Sequence, residues 1–85
     1  MNELKMYTQE EVAELFHVHV TRISELREIG ILPAIKTGRN FMFSFTAIKQ
    51  FEENYQGLDV SNRVKAIEAY RLVQARLGVS EYAYS

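Results

Sequence analysis

Eighty-five residues, 47% of them hydrophobic and 25% charged, provide for one globular domain with a modest core and exclude a disordered or fibrous chain. The net charge of −1 excludes a globally basic chain, the usual footprint of nucleic-acid contact, so any such contact must rest on how the charge is distributed. Cysteine is absent, which excludes disulfides and thiolate metal sites and fits a reducing compartment.

Met6-Tyr7 reads as a short extended lead-in. Thr8 is a good N-cap, and Glu11 three residues on completes a capping box, so a helix starts there. Val12, Leu15 and Phe16 fall at helical spacing, with Ala13 small enough for close packing. His17-Val18 breaks the pattern. A second helix is predicted from His19, itself an imperfect N-cap, to Ile29, with Ile23 and Leu26 as its inward pair and Gly30 as its C-cap. Pro33 disfavours helical geometry in the residue before it, so Ile31-Leu32-Pro33 must leave the helix. From Ala34 to Phe45 the period changes: Phe41, Phe43 and Phe45 alternate with Met42 and Ser44, as a strand with one buried face does. Thr37-Gly38-Arg39-Asn40 is the tight turn of a hairpin, with glycine supplying positive φ. Thr46 is the expected cap of a third helix with Ile48, Phe51 and Tyr55 inward, ended by Gln56-Gly57. Ser61 or Asp59 is expected to cap a fourth helix, running to Leu77 with Gly78 as its stop. Val60, Val64, Ile67, Tyr70, Val73 and Leu77 recur along it every three or four residues. It is either a fourth core element or a dimerisation helix.

The charge is unevenly spread. Met1 to Val18 holds one base (Lys5) against four acids (Glu3, Glu10, Glu11, Glu14), whereas His19 to Lys49 holds five bases (Arg22, Arg27, Lys36, Arg39, Lys49) against two acids (Glu25, Glu28). No stretch approaches the ~20 apolar residues of a membrane span. The opening MNELKMYTQEE carries acids where a secretory leader carries bases and then an apolar run. A cytoplasmic protein with no membrane partner is expected.

Two short helices at a tight turn, followed by a glycine-tipped hairpin, fit a duplex twice: the second helix in the major groove, the hairpin on the adjacent backbone or minor groove. Over Tyr7 to Phe51 the sequence resembles the excisionase-type helix-turn-helix domain, a compact relative of the MerR-type winged helix. The resemblance is carried by T-x-E-E-V-A-E-L at Thr8 to Leu15, then Val18, Ile23 and Leu26 as core positions and Gly30. The Leu32-Pro33-Ala34 exit, Lys36, the Gly38-Arg39 tip, Phe41-x-Phe43, Ile48 and Phe51 follow in order. It implies a mainly α fold with a small β-hairpin, a winged helix-turn-helix domain at 1–57. Beyond it lie an additional C-terminal amphipathic helix at 58–78 and a flexible tail at 79–85. It also implies cofactor-free, sequence-specific DNA binding in phage or mobile-element recombination or transcription.

Carried over position by position, the exposed face of the second helix holds Val20, Thr21, Ser24, Glu25 and Glu28. Thr21 and Ser24 donate to phosphates or bases, while Arg22 and Arg27 reach phosphates from the flanks. Val20 touches at most a thymine methyl, and Glu25 accepts from a cytosine amino group but repels phosphate. Lys36, Arg39 and Asn40 match the wing, whereas Met42 and Phe45 stand where relatives tend to be basic. The expected partners are double-stranded DNA, a second copy in a homodimer or cooperative oligomer, and a protein such as a recombinase. No metal is expected at His17 and His19, which lack cysteine or acidic partners at ligand spacing. No enzyme is expected either: Asp59 is the only aspartate, and neither a nucleophile motif nor a G-x-x-x-x-G-K phosphate loop is present. The alternative is a winged helix turned to protein binding through an apolar patch of Val20, Met42 and Phe45.

Overall fold

The capping box at Thr8 forms as its residues dictate. In the computed structural model, which describes residues 5–78, strand β1 (Met6–Thr8) runs directly into helix α1 (Gln9–Phe16). Thr8 Oγ1 accepts from the Glu11 N–H at 3.1 Å, and the Thr8 N–H donates to Glu11 Oε1 at 2.9 Å. That backbone hydrogen bond, helped by Lys5, holds the Glu11 carboxyl below its ordinary value. The flexible tail expected at 79–85 lies outside the described residues, as do residues 1–4.

His17 closes α1 in the left-handed region (φ 57°), and the Val18 N–H returns to the Ala13 carbonyl at 2.9 Å. His19 then caps helix α2 (Val20–Ile29), its Nδ1 accepting from the Thr21 N–H at 3.2 Å. At the far end, the N–H groups of Gly30, Ile31 and Leu32 converge on the Leu26 carbonyl at 3.2, 3.0 and 3.2 Å. Gly30 takes φ 103°, a conformation that favours glycine, and the chain turns Ile31 and Leu32 into the core.

Strands β2 (Ile35–Thr37) and β3 (Asn40–Ser44) form a hairpin closed by Gly38-Arg39, with Thr37 facing Asn40. The Met6-Tyr7 lead-in is more than extended chain. As β1 it pairs antiparallel with β3, Tyr7 facing Phe43, and the sheet order is β1-β3-β2. Helix α3 (Phe45–Asn54) begins two residues earlier than expected. Ser44, not Thr46, is its cap, with Oγ accepting from the Ala47 N–H at 3.1 Å. The β1 ladder ends at the Met6–Ser44 pair, so Phe45 is released from the sheet and enters the helix. Phe45 is thus half-buried from α3 and does not continue the strand's alternation.

The core centres on Val12, Ile23, Leu32, Phe43 and Ile48, all fully buried. Phe16 meets Phe51 edge-to-face at 5.3 Å, and Phe51 leans on Tyr55 at 5.4 Å, which ties α1 to α3. Burial pushes the Tyr55 hydroxyl up to about 12. Two positions expected inside are exposed. Leu15 is 42% accessible, and Val18 is 40% accessible because the left-handed residue before it points it outward.

Helix α4 (Arg63–Arg76) departs most from expectation. Its cap is Asn62, which accepts from the Lys65 N–H at 2.9 Å, rather than Ser61 or Asp59. Asp59 instead accepts from the Ser61 N–H at 2.8 Å and from Lys65 Nζ at 3.1 Å. Those hydrogen bonds, Ser61's first, hold its carboxyl at about 2. The inward face is Ala66, Ala69 and Val73, spaced i, i+3, i+7, with Tyr70 and Ile67 half-buried. Val64 and Leu77, expected inside, are 69% and 56% exposed. The buried face of α4 is thus mostly small, two alanines and a valine, and Tyr70 closes beside it against Gly30, where a Cβ would lie 3.3 Å from its hydroxyl.

An Ala66→Leu substitution therefore overpacks the α2–α4 contact. Thermal unfolding is expected to show a loss of about 1–3 kcal/mol. An unchanged melting temperature would mean that α4 does not dock on its alanine face.

Candidate nucleic-acid interface

The outward side of α2 follows from its inward side. With Ile23 and Leu26 buried, 3.6-residue periodicity turns Thr21, Glu25 and Glu28 away from the core. Thr21 and Glu28 are exposed, and Arg22, Ser24, Glu25 and Arg27 are half-buried. Ser24 Oγ accepts a 2.7 Å hydrogen bond from Gln9 Nε2, so its hydroxyl is oriented by the first residue of α1. Val20, Phe41 and Phe45 are partly buried and pack on the core. Met42 is half-buried on the other strand face, paired with Ile35, so the three residues of the expected apolar patch do not form one exposed surface.

Both carboxylates of α2 have arginine partners. Arg22 pairs with Glu25 one turn away. Glu28 lies between Arg27 at 4.0 Å and Arg63 of α4 at 3.5 Å. The helix is therefore close to neutral along its outer face, and its glutamates do not stand as bare charges against a polyanion.

Arg27 also connects the helix to the hairpin. Its guanidinium lies over the Phe41 ring, 3.7 Å from the centroid, while its Nε is buried without a hydrogen-bond partner. The ring face is what stabilises this cation in place of water. Lys36 Nζ approaches the same ring at 5.9 Å. Beyond Phe41 the hairpin is exposed throughout: Lys36, Thr37, Gly38, Arg39 and Asn40. Gly38 has φ 69°, as the two-residue turn requires, and open space where a side chain would be. Among the described residues, neither Lys36 nor Arg39 enters an ion pair with a carboxylate.

The eight residues singled out from the sequence thus divide by geometry. Lys36, Arg39 and Asn40 are brought together at the wing. Thr21, Ser24 and Glu25 share the outer and lateral faces of α2. Arg22 and Arg27 are engaged, one by Glu25 and the other by Phe41 and Glu28. Three contributors escaped the sequence reading: Gln9, Phe41 as a stacking partner, and Arg63. Aromatic spacing marked Phe41 for the core, and nothing local marks Gln9 or Arg63, whose partners are brought near only by packing. The two histidines serve the backbone, His17 as a left-handed cap and His19 as an N-cap. An apolar cavity of about 380 Å³ beneath Phe16, Ile23 and Phe51 carries Arg22 and Asp59 as its charged members and Ser61 as its hydroxyl.

Two helices across a three-residue turn, with a sheet-borne wing beside the second, define a winged helix-turn-helix protein carrying an extra C-terminal helix. The chain belongs to the helix-turn-helix domain family, an excisionase-like family of DNA-binding and non-enzymatic domains, whose sequence profile matches residues 6–55. That match runs from the start of β1 to the end of α3, so α4 lies beyond it. The chain is also similar to the uncharacterized protein YvgK of Bacillus subtilis (strain 168), 36% identical over 74 residues. Those residues are 87% of this chain and 23% of that protein, so the chain spans about a quarter of this relative's length. No solved structure matches it significantly. Among the described residues, no helix is long and apolar enough to cross a membrane.

Replacing Arg27 by methionine keeps the stem and removes the cation. The Arg27–Phe41 contact is worth about 0.5–2 kcal/mol in this half-buried setting. Faster amide hydrogen exchange is expected at residues 36–41, with the rest of the domain little changed. Unaltered exchange there would mean that the guanidinium does not tether the wing.

Proposed function

We propose that the chain is a sequence-specific DNA-binding accessory protein, an excisionase or small transcriptional regulator of a phage or mobile element, acting in the cytoplasm. Helix α2 enters the major groove and the 36–41 hairpin acts as the wing. The observation that carries this reading is the pair of unpaired cations, Lys36 and Arg39, on an exposed hairpin that Arg27 and Phe41 hold beside α2.

In this reading Thr21 and Ser24 offer hydroxyls to base edges or phosphates, and Glu25 accepts from a cytosine amino group once Arg22 has offset its charge. Arg22 and Arg27 reach phosphates from the flanks by exchanging their glutamate partners for them. Arg39, Lys36 and Asn40 meet backbone or minor groove. A domain of this size makes few phosphate contacts, so two copies or a cooperative array share the duplex, with half-sites about one helical turn apart for a two-fold pair. A recombinase is the protein partner that an excisionase role brings. The mechanism needs no cofactor. The protein-binding alternative loses support because Val20 and Phe45 pack inward, which leaves Ile35 and Met42 as a small apolar pair.

Selection of the purified chain on random duplex DNA, at low and moderate salt, tests the reading. Enrichment of a defined motif is expected; no retention at either salt would overturn it. Arg39→Ala is expected to weaken binding to all sequences alike and to reduce the slope of log affinity against log salt by about one. An unchanged slope would remove the wing from the mechanism.

A further inference from the structure

We propose that α4 is a self-association helix, whose outward face meets the same face of a second copy in antiparallel orientation. The inward residues Ala66, Ala69 and Val73 fix the opposite face by helical geometry as Val64, Glu68, Arg71 and Ala75. All four are exposed, and Ile67 and Leu72 flank the strip. The strip is therefore apolar at both ends and charged in the middle, with more apolar surface along its edges. Val64 and Leu72 are 69% and 44% accessible.

Charge complementarity selects the occupant and its direction. A two-fold axis midway between Ala69 and Tyr70 puts Val64 beside Ala75 of the second copy and Glu68 beside its Arg71. By symmetry the same two contacts recur, as an isologous interface requires. A parallel pair would instead put Glu68 against Glu68 and Arg71 against Arg71. Among the described residues Glu68 and Arg71 enter no ion pair within the chain, whereas Arg63 and Lys65 on the same helix are paired with Glu28 and Asp59. Arg76 is also unpaired among the described residues but lies off the strip by helical geometry, so Glu68 and Arg71 are the two unpaired charges of this face, and they are the two that a second copy satisfies.

Position along the chain agrees. The helix lies beyond the helix-turn-helix match at residues 6–55, yet any 74 contiguous residues of this chain include most of it, so the similarity to the Bacillus relative reaches into α4. From Val64 to Ala75 the strip is about 16 Å long at 1.5 Å per residue, shorter than an interface of ~800 Å² per partner needs. The free dimer is accordingly weak, dissociating in the micromolar range, and a duplex with two half-sites raises the effective concentration that completes it. The inference deepens the two-copy part of the DNA-binding reading but is measured without DNA, so either can fail alone.

Sedimentation equilibrium of the full chain from about 1 to 500 µM, a range set for a micromolar association, is the test. A monomer–dimer equilibrium is expected. E68R and R71E each create two like-charge contacts and are expected to weaken the dimer at least about tenfold. The double variant E68R/R71E restores both pairs with reversed sign and is expected to recover the parent's dissociation constant. Circular dichroism monitors helix content in all four proteins. A parent that stays monomeric, a dimer indifferent to the single reversals, or a folded double variant that fails to recover would each overturn the proposal.

Discussion

The left-handed turn at Gly30 is where the parts of this small protein are fixed relative to one another. Three backbone N–H groups close on one carbonyl there, so α2 ends sharply and Ile31 and Leu32 drop into the core. The chain then emerges at Ala34 aimed into the hairpin. Without a side chain at residue 30, Tyr70 approaches closely enough to seat α4 against the end of α2. One residue thereby sets the length of α2, the departure of the wing and the docking of the C-terminal helix. A side chain at this position would meet both a strained φ and a neighbour at 3.3 Å.

Electrostatics is the second constraint, because a chain of net charge −1 has little positive potential to offer a polyanion. The fold concentrates what there is. Arginines neutralise the two glutamates of α2, one from the same helix and one from α4, while Lys36 and Arg39 remain unpaired on the hairpin. Unpaired positive charge therefore lies on the wing, while α2 carries hydroxyls and partnered carboxylates. Under the proposed reading this division leaves phosphate attraction to the wing and gives a single copy modest affinity. It makes the geometry between wing and helix matter, and the Arg27–Phe41 stack holds that geometry.

How legible all this was depended on whether the deciding contact is local. The Thr8–Glu11 box, the Gly30 cap and the Gly38 turn were readable because each is decided within four residues. The cap of the third helix is not legible in the sequence because the β1 ladder ends at Ser44 and releases Phe45 into the helix, a pairing between residues far apart in sequence. Val18 was assigned to the core because its type is apolar, yet the left-handed residue before it turns it out. At the candidate interface, the exposed wing cations were readable as types. The partners that reshape α2, namely Gln9, Phe41 and Arg63, belong to other elements and left no pattern of their own.

The inward face of the fourth helix is hidden in the sequence for a related reason. Large apolar residues point to the inward face by periodicity, but here the docked face is mostly small, and alanine carries little hydrophobic signal. A helix with alanines on its docked side can keep its larger apolar residues for the other side. That is why Val64 and Leu72 remain at the surface here without any defect of packing. The two roles foreseen for this segment, core element and association helix, are therefore compatible: Ala66, Ala69 and Val73 serve the first. The face turned away from them, with its unsatisfied Glu68 and Arg71, has the chemistry of the second.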